Sequence, residues 1–253
     1  MKKSFLILIL ILFLMCSSGS AFAFSVTDLL SDWGVNLSTN SYVPHAGVYY
    51  DVEDNATPDG GNQFVGPGLS PGNICDVEAI YFTNDANYAY MAVVAGLPRT
   101  GGGWAPGDLG IDANNNSYYE FGIDTSSYDS VNKKAKLLSN AVWSHVGYTQ
   151  HYIADPFEMT SGDFDDHWVD FEYLSAAINY HYALGAKVPL SYLGLSTSAG
   201  EHFLANIHWT MSCGNDYLDL SDPHYYPPSV PEPATLSLLG LGLLGLFGLK
   251  KRV

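Results

Sequence analysis

The sequence predicts an all-β protein whose folded part is a single β-sandwich of the jelly-roll or immunoglobulin-like type, with only short helical turns. Three observations lead to this prediction. Short runs of β-branched and aromatic residues recur along the chain, clusters of Gly, Asn, Asp and Ser separate these runs, and no long amphipathic helix is present. The middle of the chain, residues 24–229, has a length that suits one domain.

The N-terminal segment has the order of a secretory signal peptide. Lys2 and Lys3 precede an apolar run over residues 5–15, and Ala21-Phe22-Ala23 ends the segment. A positive start, a short apolar core and an A-x-A site mark a cleavable signal, and this core is too short for a permanent span. We therefore predict a signal peptide over residues 1–23, with a permanent N-terminal anchor as the alternative.

The middle opens with a predicted helix and continues as strands. Ser25 and Asp28 have capping-box spacing and predict a short helix that ends near residue 33. An alternating pattern at residues 76–82, typical of a half-buried strand, and an apolar run at 88–97 flank an Asn/Asp turn and predict a hairpin. Pro189 begins a predicted helical turn. The other predicted strands cover residues 47–52, 108–112, 118–124, 134–138, 142–145, 168–173, 178–184 and 202–211.

The C-terminal segment has three parts in a fixed order. Val230-Pro231-Glu232-Pro233 comes first, a Leu/Gly-rich apolar stretch follows over residues 236–249, and a basic cluster begins at Lys250. The prolines interrupt regular structure. The apolar stretch predicts a transmembrane helix, and the basic cluster places its end on the cytoplasmic side. The folded middle is therefore expected outside the cell.

This three-part order resembles the PEP-CTERM sorting signal over residues 230–253, with Val230, Pro231, Glu232 and Pro233 as the sorting motif. The resemblance implies a Gram-negative bacterium and a precursor anchored in its inner membrane by the C-terminal helix. It also implies an exosortase-type processing protease as partner. The product is then delivered to the cell surface or to an exopolysaccharide matrix. The resemblance speaks of destination and not of chemistry.

The charge of the middle restricts its partners. Only five of the ten basic residues, but 25 of the 26 acidic ones, lie between the two end segments, so the net charge there is about −20. Such a surface repels nucleic acid and anionic lipid, and it suits divalent cations. A solvated acidic surface without a partner is the alternative interpretation.

A second resemblance concerns the middle. The predicted early hairpin and the late segment Val188-Pro189-Leu190-Ser191-Tyr192-Leu193-Gly194 stand in an order similar to family 9 carbohydrate-binding modules and related DOMON-type sandwiches. The chain departs from that pattern at residues 178–187, which lack the acid-rich strand often found there. The resemblance implies a β-sandwich that binds carbohydrate, with exopolysaccharide as the expected partner.

The best candidate for a metal site lies between two predicted strands. Oxygen-bearing side chains at alternate positions of a turn can converge on Ca²⁺, which accepts six to eight oxygen ligands. An Asn-rich hairpin turn is the alternative. The candidate ligands are Asp108, Asp112, Asn114, Asn116 and Glu120.

Two further sets of residues are candidates for binding and for stability. Carbohydrate binding needs exposed aromatic rings, for which the candidates are Trp104, Tyr118, Tyr119 and Trp143, whereas Trp168 and Trp209 are predicted core residues. Cys75 and Cys213 are the two cysteines left after signal cleavage. In an oxidising compartment they predict one disulfide, with two separate buried thiols as the alternative.

Signatures of enzymes are weak. The chain has no H-E-x-x-H motif, and the serines near Gly194 do not have G-x-S-x-G spacing. The sequence favours a non-catalytic, exported carbohydrate-binding domain, stabilised by calcium if the Asp112 turn binds it. A secreted polysaccharide hydrolase and a purely structural matrix protein are the alternatives.

Overall fold

The computed structural model describes residues 24–52, 73–100, 102–147, 154–196, 205–214 and 216–220. The predicted signal peptide, the sorting motif and the predicted transmembrane stretch lie outside these ranges. Within them, no helix has both the length and the apolar character needed to cross a membrane.

The domain begins with one short helix, α1, over Val26–Asp32. The side chain of Ser25 caps it by accepting a hydrogen bond from the backbone N–H of Asp28 at 3.3 Å. Gly34, at φ +81°, follows the C-cap residue Trp33 and turns the chain away. The predicted N-terminal helix is therefore confirmed. Short 3₁₀ turns follow at Leu37–Thr39, Asn73–Cys75 and Leu190–Leu193.

Eleven antiparallel strands make up the rest of the described chain. They are β1 (Tyr49–Val52), β2 (Val77–Asn84), β3 (Tyr88–Ala95), β4 (Leu109–Asp112), β5 (Phe121–Asp129), β6 (Lys134–Trp143), β7 (Met159–Asp163), β8 (Trp168–Tyr173), β9 (Tyr182–Pro189), β10 (Asn206–Thr210) and β11 (Tyr217–Leu220). Their order in the sheet is β1-β2-β3-β9-β8-β6-β5-β4-β10-β11, and β7 pairs with β6 beside this path.

The strands form one continuous sheet that is nearly closed, because β11 also lies against β1 and β2. The predicted all-β fold is confirmed, and the two layers that face each other across the core belong to a single hydrogen-bonded sheet. Alternate side chains of the strands fill the space between the layers. Trp209, Phe82, Phe171, Leu109 and Ile123 are among the fully buried members of this core.

A second, smaller cluster lies on the other side of β2, β3 and β9. Leu30 of α1 and Trp33 pack there against Tyr81 and its neighbours. Because this layer covers β2, the strand is buried on both faces, and the prediction of a half-buried strand was wrong. Its polar residues are buried too: Glu78 is 3% exposed, and its carboxylate lies 2.7 Å from Nε2 of His181.

Several boundaries differ from the predictions for local reasons. The strands predicted at 134–138 and 142–145 form one strand, β6, which ends at Trp143 and passes through Asn140 at φ +49° with an irregular register. The strand predicted at 178–184 begins only at Tyr182, because Asn179 and Tyr180 form a tight turn with positive φ. The short strands β7 and β11 were not predicted.

Candidate functional site

The turn between β4 and β5 brings together four of the five predicted metal ligands. The carboxylate of Asp112, which is fully buried, accepts hydrogen bonds from the backbone N–H groups of Asn114 at 3.3 Å, Asn116 at 3.1 Å and Ser117 at 2.6 Å. The carboxylate of Glu120 accepts a hydrogen bond from the side-chain amide of Asn114. These contacts fold the loop around its own acidic side chains.

Asp112 has no acceptor position left over. The side-chain amide of Asn206 on β10 donates to the same carboxylate at 3.3 Å, and a carboxylate has about four acceptor sites. The predicted ligand Asp108 points elsewhere, toward Thr125 and Met159. Among the residues that the structure describes, no group of three or more His, Cys, Asp and Glu side chains is placed to hold a metal ion. The hydrogen bonds account for the shape of this turn, and calcium binding stays a prediction.

Two of the predicted sugar-binding aromatics pack together beside this turn. The rings of Tyr119 and Trp143 meet edge to face with centroids 6.4 Å apart, and the indole N–H donates to the backbone oxygen of Tyr119 at 2.7 Å. The Tyr119 hydroxyl donates to Asp219 at 3.0 Å, and Nδ1 of His208 lies 2.6 Å from the same carboxylate oxygen. Burial and this carboxylate raise the pKa of Tyr119 above its usual range.

His208 and Asp219 were not anticipated from the sequence, because β11, which supplies Asp219, was not predicted. His208 is fully buried beneath Tyr119 and Tyr217, whose ring centroids lie 5.5 and 5.9 Å from its own. A polymer cannot reach an imidazole that is covered in this way. The His208 cluster therefore serves the packing of β10 and β11.

The other two predicted aromatics differ in exposure. Tyr118 is 55% exposed, and its hydroxyl donates to the backbone oxygen of Ala141 on β6 at 3.0 Å. Trp104 is partly buried and packs against the main core. Neither residue forms an extended exposed surface of the kind that a sugar chain needs.

A cleft of about 380 Å³ lies next to Ala105 and Pro106, and three carboxylate residues line it: Asp108, Asp124 and Glu158. Both carboxylate oxygens of Asp108 are already bonded: one accepts from the backbone N–H of Thr125, and the other accepts from that of Met159, each at 2.8 Å. Burial raises the pKa of Asp108 to about 6, against the lowering effect of these hydrogen bonds. Asp108 thus ties three parts of the chain together and is not directed at a substrate.

An exposed aromatic surface lies on the outer side of β6, β8 and β9. Trp168 and Phe164 are 38% and 39% exposed, and their rings meet edge to face with centroids 5.6 Å apart. The ammonium group of Lys136 lies 5.3 Å from the Phe164 centroid and 5.8 Å from that of Trp168. The prediction that Trp168 is a core residue was wrong, whereas Trp209 is fully buried as predicted.

This surface continues across four neighbouring strands. One row of side chains crosses these strands at directly opposite register positions: Tyr90 on β3, Lys187 on β9, Asp170 on β8 and Lys134 on β6. Trp168 and Lys136 are likewise opposite each other, one step along the outer side. We call this surface the aromatic–lysine face; it comprises Tyr88, Tyr90, Lys134, Lys136, Phe164, Trp168, Asp170 and Lys187.

The face combines rings and cations in an unusual way for so acidic a domain. The ammonium group of Lys187 lies 4.1 Å from the ring centroid of Tyr88 and 5.9 Å from that of Tyr90. With Lys133, which pairs with Glu172 of β8, four of the five basic residues between the end segments belong to this side of the sheet. Sequence periodicity could have indicated it, because Trp168 and Asp170 alternate with the buried Val169 and Phe171.

The two cysteines are buried and face each other. Sγ of Cys213 lies 3.1 Å from Sγ of Cys75, without a covalent bond in the structure, and the contact joins the segment before β11 to the segment before β2. The neighbouring Cys213 thiol and burial raise the pKa of Cys75 above its usual range. The predicted pair is thus brought together, and its oxidation stays a prediction.

Comparison with known proteins concerns the C-terminal end. No curated protein and no solved structure matches the chain. The family model that matches is described as the PEP-CTERM protein-sorting motif, and it covers residues 229–252, which include Val230, Pro231, Glu232 and Pro233. The chain therefore carries a PEP-CTERM sorting motif, which indicates an exported protein sorted to the cell surface.

Proposed function

We propose that the folded domain is a non-catalytic carbohydrate-binding domain, and that the aromatic–lysine face is its binding surface. The sorting motif supports the proposal, because a protein that is sent to the cell surface or its matrix meets polysaccharide there. It also includes an inner-membrane precursor that an exosortase-type protease processes in a Gram-negative envelope. The proposal does not require calcium.

One observation carries the proposal, namely the exposed pair of Phe164 and Trp168. An aromatic ring presents an apolar surface on which the C–H groups of a pyranose pack, and this edge-to-face pair offers the exposed face of one ring beside the edge of the other. Trp168 lies on β8 opposite Lys136 of β6, so the sheet fixes the position of its ring. A rigid platform loses little conformational entropy when a sugar binds.

The test compares two exposed aromatics in the exported full chain. Trp168→Ala should lower the affinity for the glycan that the protein binds by about tenfold, because one stacking contact is lost. Tyr118→Ala removes a more exposed ring outside the face and should leave the affinity unchanged. Affinity electrophoresis against a panel of soluble polysaccharides measures both variants, and their melting temperatures show that they are folded.

The same experiment separates the alternatives. Binding with no release of reducing sugar supports a non-catalytic domain, whereas release of reducing sugar would establish a hydrolase. Loss of binding in Tyr118→Ala with full binding in Trp168→Ala would move the site to the β4–β5 turn. A protein that binds no glycan at all would support the purely structural role.

A further inference from the structure

The lysines of the outer surface fall into two kinds. Lys133 lies 2.7 Å from a carboxylate oxygen of Glu172, and Lys134 lies 2.5 Å from one of Asp170. Lys136 and Lys187 lie over aromatic rings instead. Neither of these two forms an ion pair with a carboxylate in the described part of the chain, although Asp170, which pairs with Lys134, is directly opposite Lys187 on the neighbouring strand.

The position of these two charges matters because the rest of the domain is so acidic. At physiological ionic strength the Debye length is about 8 Å, so a ligand on the face responds mainly to the charges beside it. Lys187 is on β9 and Lys136 is on β6, with β8 between them, which separates their strands by about 10 Å at the usual strand spacing. Exposed rings of Trp168 and Phe164 lie beside Lys136, and Tyr88 lies beside Lys187.

A neutral sugar can accept hydrogen bonds from the two ammonium groups, but it gains no charge–charge attraction from them. A carboxylate gains a charge-assisted hydrogen bond from each of them. Stacking over a ring occupies one side of an ammonium group and leaves its other N–H donors available. A chain that presents carboxylates on successive sugars can therefore contact both lysines while its pyranose rings lie on the aromatic side chains.

We propose that the ligand of the aromatic–lysine face is an acidic polysaccharide, a polymer of uronic acids. This inference rests on the proposed carbohydrate-binding function and names its ligand class. The overall negative charge suggests that the domain repels polyanions. This repulsion applies to the acidic remainder of the surface and not to this face.

The experiment measures the affinity of the exported full chain for a polyuronate and for a neutral glucan of matched length. The polyuronate should bind at least tenfold more tightly, and its affinity should fall as salt rises from 50 to 500 mM, because salt screens the ion pairs. Lys136→Met and Lys187→Met keep an apolar side chain over the rings and remove the charge. Each should weaken polyuronate binding about threefold and leave glucan binding unchanged.

The control variant is the double substitution Lys134→Met/Asp170→Asn, which removes a whole ion pair from the same face and leaves its net charge unchanged. It should change polyuronate affinity much less than Lys136→Met does, and Lys136→Arg should retain binding. Equal affinity for both polymers, independent of Lys136 and of salt, would overturn the acidic ligand and keep the carbohydrate function. Single-stranded DNA or anionic vesicles bound as tightly as polyuronate would also overturn it. Failure to bind either polymer would overturn the carbohydrate function itself.

Discussion

The carboxylate of Asp108 connects parts of the fold and at the same time lowers the stability of the protein when it is ionised. Its oxygens accept hydrogen bonds from Thr125 and Met159 and so connect the start of β4 to β5 and β7. Burial outweighs these bonds and raises its pKa to about 6. Because an aspartate in an unfolded chain titrates near 3.9, the folded protein holds this proton more tightly than the unfolded chain does. The ionised form therefore reduces the free energy of unfolding above pH 6.

The pH dependence of stability gives a prediction for this residue. As the pH falls from 7 through 6 toward 4, this cost should disappear, so the wild-type protein should gain about 2 kcal/mol relative to Asp108→Asn, which does not titrate. Urea unfolding of both proteins at pH 7 and pH 4 measures the difference, with Asp32→Asn at the end of α1 as an exposed control. A pH dependence that is the same in wild type and Asp108→Asn would contradict the assignment.

The environment of a single residue could be predicted where it depends on neighbours in the sequence. It could not be predicted where it depends on how the strands pair in the sheet. The sequence indicated that the oxygens around Asp112 converge, because they belong to one turn. It did not reveal that Asn206, far along the chain, completes the acceptor positions of that carboxylate. The sequence predicts Trp168 as a core residue because it lies on a strand, yet it lies on the outer side, where Phe164 and Lys136 partly cover it.

At the scale of elements, the start of β4 packs too closely for a side chain at Gly107. A Cβ atom there would lie 2.5 Å from the backbone oxygen of Phe157 and 2.7 Å from that of Thr210. The N–H of Gly107 also donates to Thr210, and its oxygen accepts from the indole of Trp209. Both obstructing atoms are backbone, so no rotation of a side chain can relieve the overlap.

Gly107→Ala is therefore expected to lower the free energy of unfolding by about 3 kcal/mol, since β4 must move away from β10 or from the segment before β7. Gly147→Ala is the matched control, because a Cβ atom there meets only the backbone oxygen of Ser212, at 3.7 Å. It should change stability by less than about 0.5 kcal/mol. Chemical denaturation of both variants measures this, and similar midpoints would show that the start of β4 can shift freely.

The elements themselves were predictable to the extent that local signals specify them. The β2–β3 hairpin has alternating and apolar runs on either side of an Asn/Asp turn, and it was found as predicted. β7 has a short, polar-rich sequence and β11 has only four residues, and their pairing depends on β6 and β10. The alternating polar residues of β2 predict one solvent-exposed face. In the structure, α1 and the segment after it cover that face.

At the scale of the whole molecule, the Cys75–Cys213 contact joins distant parts of the chain. The sulfur atoms lie 3.1 Å apart in the core, so an oxidising compartment should convert the pair to a disulfide with little movement. Closing a loop of this length stabilises the folded state by about 4–5 kcal/mol on the chain-entropy model. Mass spectrometry of unreduced exported protein should find the two cysteine-containing peptides linked.

The stability difference checks the same prediction independently. Reduction should lower the unfolding midpoint of the wild-type protein and leave that of a Cys75→Ala/Cys213→Ala variant unchanged. Full alkylation of both cysteines in unreduced, denatured protein would refute the bond. The sequence could suggest that the two cysteines pair, but it could not show where in the fold they meet. They come into contact because β11 approaches β2 in the nearly closed sheet.

The position of Cys213 has a mechanical consequence. A pull on the chain at the C-terminal side of the domain reaches β11 before the other strands. Within the described residues, the four-residue β11 has β10 as its hydrogen-bonded partner, so its hydrogen bonds would open one after another. With the bond to Cys75 in place, peeling stops at residue 213. The force then acts on the start of β2, a strand that is packed on both faces. Further unfolding would require the whole domain to open.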